Sequence, residues 1–165
     1  MPEAACATAP AGGESIILIP ARIGSTRFPR KPLADLGGRP MIVEVARRAQ
    51  EAGIGRAVVA TDDAAIAEAV RGAGFEAVLT ADTHESGSDR IFEALGKLSD
   101  VGGVRFVVNV QGDLPTIAPA LIEAAAEFCP MPRGWVVYSA ARVHGHKQFG
   151  DMRLGVLIDM LARPE

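Results

Sequence analysis

Arg22, Arg27, Arg30 and Lys31 crowd into one short segment, PARIGSTRFPRKPL, among Gly24, Ser25, Pro29 and Pro32. Glycine and small residues let backbone N–H groups approach an anion, and the prolines stiffen the turn. Arginine grips phosphate oxygens in a fork, while lysine serves as a mobile point charge. The chemistry this segment suits is the holding of a polyphosphate; the plainer alternative is a solvated basic loop. Other phosphate loops do not fit, because no G-x-x-x-x-G-K-[ST] and no G-x-G-x-x-G follows the first apolar run.

A second group stands in VNVQGDLP, residues 108–115. An acidic residue just past a buried strand is placed to hold Mg²⁺, which takes one or two carboxylates together with the phosphates of its substrate. Asp113 is the candidate ligand, although an aspartate before Pro115 could equally open a turn. Gln111 offers a carbonyl and an amide to a base or a sugar. A third group, THESGSDR at residues 83–90, brings His84, Ser86, Ser88 and Arg90 into a short polar loop suited to the edge of a nucleobase. Its bland reading is a helix cap at Ser88 with Asp89 in the first turn. Asp62 reads as a helix cap rather than a ligand contact.

These loops need elements to position them. Residues 16–19 form a continuous apolar run that stops at Pro20, as in a strand buried on both faces. Residues 41–52 read as a helix with Met41, Val45 and Ala49 on one face and Gly53 as its stop. Residues 57–60 are a second strand. A helix over 64–73, capped by Asp62 or Asp63, follows, with Ile66, Val70 and Ala73 sharing a face. A third strand is expected at 76–79, a helix from Ser88 to 98 with Ile91, Leu95 and Leu98 inward, a fourth strand at 106–110, and a helix opened by Pro119 and reaching Phe128. Strands alternating with helices argue for an α/β fold with a mostly parallel sheet covered on both faces. In such sheets ligands bind beyond the carboxyl ends of the strands, which brings all three polar groups to one rim.

The bulk properties agree with one globular domain of 165 residues: 48% apolar and 22% charged, long enough to bury a core. A net charge of −3 and the lack of a long basic run give no hint of nucleic acid or an anionic membrane. Cys6 and Cys129 stand in no metal-binding or disulfide pattern, which fits a reducing cytoplasm. Residues 1–15 lack the basic start and apolar run of a secretory signal and read as a flexible tail. No apolar stretch approaches the ~20 residues of a membrane span, so a soluble protein is expected.

The three polar segments, in this order, resemble the 3-deoxy-manno-octulosonate (Kdo) cytidylyltransferase family. Its marks are P-A-R-x-x-S-T-R-x-P-x-K-P-L, A-T-D, H-x-S-G-[TS]-x-R and N-V-Q-G-D-x-P. Here they stand at residues 20–33, 60–62, 84–90 and 109–115, and the match covers about residues 16–128. The resemblance implies a Rossmann-like nucleotidyltransferase fold. It also implies transfer of CMP from CTP to Kdo with release of pyrophosphate, for lipopolysaccharide biosynthesis in a Gram-negative cytoplasm. By the same resemblance Arg22 and Lys31 would neutralise the triphosphate and Asp113 would hold Mg²⁺. Ser25, Ser86, Arg90 and Gln111 would contact the nucleotide or the acidic sugar. A homodimer is implied as well. A nucleotide-binding remnant without turnover, or a related nucleotidyltransferase using another acidic sugar, are the alternative readings.

The sequence departs from the family pattern in three places. Arg30 stands where glycine is common, and Leu114 where glutamate is common. From residue 129 to 165 the pattern is lost: the expected N-P-N-x-V-K-V, H-I-G-x-Y-A-Y-R and V-D-T-P-E-D-L segments do not occur. In the family that part carries much of the sugar pocket, a second metal-binding aspartate and the dimer contacts, so the sheet is expected to be incomplete there. A frameshift or other truncating event near codon 129 would produce such a break. Finding no family-like residues in the other downstream reading frames would count against it. Within this tail, residues 136–138 suit a strand and 154–161 a helix. His144 and His146 read as part of a solvated loop rather than a metal site.

Overall fold

The computed structural model describes residues 15–24, 29–104, 106–127 and 136–139. Its strands are β1 (Ser15–Ala21), β2 (Arg56–Thr61), β3 (Glu76–Leu79), β4 (Phe106–Asn109) and β5 (Val136–Ser139). They form one parallel sheet in the order β3-β2-β1-β4-β5. The helices are α1 (Met41–Glu51), α2 (Ala64–Gly72), α3 (Gly87–Lys97) and α4 (Pro119–Glu127). The α/β alternation is therefore the expected one, and the strand expected at residues 136–138 pairs with β4. The helix expected at 154–161, His144, His146, both cysteines and residues 1–14 lie outside the described residues.

Strand periodicity divides the core in two. Ile17, Ile19, Ala57, Val59 and Val108 face one side, where α1, α2 and α4 bring Ile42, Val45, Ile66, Val70 and Ile122. Ile16, Leu18, Val58 and Val107 face the other, against Ile91 and Leu95 of α3. Because both faces of β1 are covered, its apolar run is continuous rather than alternating. The register sets Ile17 beside Ala57 and Val108, so the three side chains enter the same layer. The step from β4 to β5 runs along the sheet opposite to the step from β1 to β2, yet α4 and α1 share a face. The two crossovers therefore have opposite hands, against the strong preference for a single hand.

Several boundaries differ from the sequence expectation, each for a physical reason. β1 does not stop at Pro20 but continues through it to Ala21. Leu18 O accepts from Val110 N, so residue 20 directs its nitrogen to the same side, where pairing with β4 ends at Leu18–Asn109. The missing N–H therefore costs no ladder bond. The cap of α2 is Asp63, whose Oδ1 accepts from Ile66 N at 3.1 Å, and not Asp62. The cap of α3 is Ser86, not Ser88. Ser86 Oγ accepts from Asp89 N at 3.1 Å, an N-cap bond to the third helical position, and its hydroxyl donates to Asp89 Oδ2 at 2.5 Å. Gly53, at φ 67°, ends α1 as expected. Among the described residues no helix is long and apolar enough to cross a membrane.

Candidate functional site

The chain leaves β1 toward β2 and leaves β4 toward β5, so the loops after these adjacent strands diverge and a crevice opens between them. A cavity of about 340 Å³ lies there, lined among others by Arg22, Gly24, Lys31, Gln111 and Asp113. A smaller one of about 100 Å³ is lined by His84, Ser86, Gly87 and Arg90. The two share Pro20, Ala21, Arg22 and Gln111 as walls. The rim expected from the sequence is thus one cleft with two lobes.

Lys31 opens a single 3-10 turn, Lys31–Leu33, whose Pro32 is buried. Arg30, immediately before it, sits at φ 57° and ψ 26°, a left-handed conformation that favours glycine. The loop then returns to α1 through a bridge between Asp35 and Pro40, and Gly38 N donates to Asp35 Oδ1 at 2.9 Å. This closure brings Lys31 Nζ to 2.9 Å from Asp113 Oδ2.

Asp113 comes from a turn in which Leu114 N donates to Gln111 O at 3.3 Å. Gly112 makes the approach possible: a Cβ there would stand 2.8 Å from Pro20 O and 3.2 Å from Ile42 Cδ1. Gly87 plays a milder part at the smaller lobe, where an added Cβ would meet Pro20 Cγ at 3.2 Å. Arg22 is exposed, and among the described residues its Nη1 makes one long contact, to Glu85 O at 3.5 Å.

The remaining site residues divide. Gln111, half-buried, stands where the lobes meet. Ser86 lines the smaller lobe, but its hydroxyl is engaged in capping α3. Ser25, with Arg27, lies outside the described residues. Arg90 reaches the smaller lobe but is only 2% exposed, and its terminal nitrogens donate to Asp62, Thr80 and Ala81. His84 turns to Glu93. Glu93 also accepts from Lys97 at 2.6 Å and from Ala81 N at 2.9 Å. Lys97, His84 and the Ala81 amide hold its carboxyl down to about 2.

Sequence reasoning missed the Asp62–Arg90 pair and the Glu93 hub. A signal for the pair existed: Arg90 falls on the same stripe of α3 as Ile91, Ala94 and Leu95, and a cation there demands a buried acceptor.

The parallel sheet and the cleft beyond its strand ends define an α/β domain of the nucleotidyltransferase fold, and the chain belongs to the cytidylyltransferase family, whose sequence profile matches residues 16–129. Over 110 residues it is 70% identical to the 3-deoxy-manno-octulosonate cytidylyltransferase of Azorhizobium caulinodans, covering 67% of this chain and 44% of that protein. Identity to the protein of the same name from Rhizobium leguminosarum bv. trifolii is 63% over 110 residues, with the same coverage of 67% and 44%. A solved structure of CMP:2-keto-3-deoxy-manno-octonic acid synthetase complexed with CTP superposes with a TM-score of 0.63 at 42% identity, over 68% of this chain and 45% of that one. A nucleotidyl transferase from Methanothermobacter thermautotroptrophicus, 20% identical with a TM-score of 0.60, shares the fold over 71% of this chain and 58% of its own. The chain thus matches less than half the length of the cytidylyltransferases it is similar to.

Proposed function

We propose that this chain carries the nucleotide-binding half of an enzyme that transfers CMP from CTP to Kdo and releases pyrophosphate. The observation that carries this reading is the convergence of Arg22, Lys31, Gln111 and Asp113 on one cleft between β1 and β4. It is supported by a relative of that activity's name at 70% identity. In this reading Arg22 and Lys31 neutralise the triphosphate, and Gln111, Ser25 and Ser86 contact the nucleotide or the sugar. The anomeric hydroxyl of the sugar attacks the α-phosphorus and the α–β bridging bond breaks, with charge developing on the departing pyrophosphate. Positioning and electrostatics therefore supply most of the acceleration. The product serves lipopolysaccharide assembly, and the setting is the cytoplasm.

Magnesium belongs to the same proposal. Among the described residues no group of three or more acidic, histidine or cysteine side chains could form a protein-only cage. A single carboxylate beside a polyphosphate cradle suits Mg²⁺, which retains waters and takes its other ligands from phosphate. Asp113, 54% exposed at its side chain, fits that role. When bound, Mg²⁺ would neutralise phosphate charge and polarise the reacting phosphorus.

The family match ends at residue 129, and this favours a second reading, a domain that binds Mg-CTP without turnover. Pyrophosphate release with CTP, Mg²⁺ and Kdo separates the two. Release that requires Kdo and is lost in Lys31→Ala establishes the transferase. CTP binding without release establishes the second reading, and the absence of both defeats each of them.

A further inference from the structure

Arg90 ties three segments together. Its Nη2 donates to Asp62 Oδ2 at 2.7 Å, and its Nη1 to Thr80 Oγ1 at 2.5 Å and to Ala81 O at 3.3 Å. Asp62 directly follows β2, Thr80 and Ala81 directly follow β3, and Arg90 belongs to the first turn of α3. One buried guanidinium thus fixes that turn against the carboxyl ends of two strands.

As core packing alone the arrangement is a poor solution. Asp62 Oδ1 is buried without a protein hydrogen-bond partner among the described residues, so the pairing of the carboxylate there rests on Arg90. Buried ion pairs are often no better for stability than apolar residues of similar shape. What an apolar replacement would lack is direction: the forked donor sets where residues 80–90 lie, and these carry the His84 and Ser86 wall of the smaller lobe.

We infer that Asp62 is a positioning residue of the cleft, acting through Arg90 to fix residues 80–90 in the geometry a nucleotide requires. The inference rests on the nucleotide-binding reading above. Asp62 lines neither lobe of the cleft. Without its charge the guanidinium keeps only neutral acceptors, and the segment it anchors is free to shift.

The test is Asp62→Asn in the full chain. Glu76→Gln serves as control, because Arg56–Glu76 at 2.6 Å ties the opposite ends of the same two strands. Amide hydrogen exchange and Mg-CTP affinity by calorimetry are read together. In Asp62→Asn, exchange over residues 81–89 should accelerate about tenfold or more while residues 16–19 stay unchanged. The CTP dissociation constant should rise about tenfold or more. Glu76→Gln should do neither. Acceleration spread equally through β1 would mean a merely structural role and overturn the inference, as would local acceleration with CTP affinity intact. If the unsubstituted chain binds no CTP, the functional reading fails, and Asp62 is still accepted or rejected as the anchor of this wall by the exchange pattern. Should Asp62→Asn not fold, Thr80→Val removes a different acceptor of Arg90 and must give the same local pattern, or the inference falls.

Discussion

Lys31 Nζ lies 2.9 Å from Asp113 Oδ2, joining the loop after β1 to the loop after β4 across the mouth of the larger lobe. The proposed site needs both groups for other partners, Lys31 for phosphate and Asp113 for a divalent cation. Each therefore competes with the other until a ligand takes both. A half-exposed ion pair of this kind contributes about 0.2–1 kcal/mol, so the competition is mild. Lys31→Met should bind Mn²⁺ about two- to fivefold more tightly in the absence of nucleotide, read by electron paramagnetic resonance. The same substitution should weaken CTP binding by about tenfold or more, because a charge-assisted phosphate contact is lost. Unchanged Mn²⁺ affinity would place the cation away from Asp113.

Gly112 gives a test of how closely the two loops must approach. Any side chain there meets Pro20 O at 2.8 Å, a backbone atom that cannot swing aside. Gly112→Ala should destabilise by about 1–3 kcal/mol and weaken CTP binding, since relief of the clash pushes Asp113 outward. Gly96, on α3, has nothing within 4 Å of an added Cβ. Gly96→Ala should instead stabilise by up to about 1 kcal/mol through helix propensity. Thermal unfolding of the two variants should move in opposite directions. A shared direction would mean that the Gly112 approach is not tight.

The sheet and the rim were legible in the sequence because buried parallel strands read as unbroken apolar runs and their loops as polar, glycine-rich breaks. What stayed hidden depends on direction in space. Asp62 and Asp63 are equivalent caps on paper, and only the angle at which β2 ends gives Asp63 to α2 and leaves Asp62 for Arg90. Ser86 and Ser88 pose the same ambiguity, resolved by Asp89 at the third helical position. Pro20 looked like a strand terminus because the sequence does not reveal which side of β1 its nitrogen faces. That Arg90 would be buried and paired with Asp62 was not legible, since a buried arginine and an exposed one share a letter.

Arg30 departs from the family pattern at a position whose φ of 57° explains why glycine is common there. A left-handed non-glycine residue costs about 1–2 kcal/mol. Glycine's extra chain entropy offsets about 0.5–1 kcal/mol of any relief. Arg30→Gly should therefore raise stability by a few tenths to about 1 kcal/mol, whereas Arg30→Ala, which keeps the strain, should not. Urea midpoints at constant m-value separate the two. Equal midpoints would show that the turn tolerates a side chain at no cost.

Acid should loosen the protein through two carboxylates. Arg47 and Arg48 hold Glu44 down to about 2, and Lys97, His84 and the Ala81 amide do the same for Glu93, both from an ordinary value of 4.5. A carboxyl whose folded value lies below its unfolded one adds stability above the unfolded value, and that stability is lost as pH falls through the folded one. The loss should therefore run from about pH 4.5 down to about pH 2. Glu93 ties Ala81 and His84 to α3, so the cleft wall at residues 80–84 should loosen ahead of the core. Glu93→Gln should be less stable than the parent at neutral pH, with a shallower decline in the urea midpoint on acidification. The two curves should converge near pH 2, where the parent's carboxyl is itself protonated. Parallel curves across that range would mean that Glu93 carries no charge-dependent share of stability, and that the loop rests on Arg90 alone.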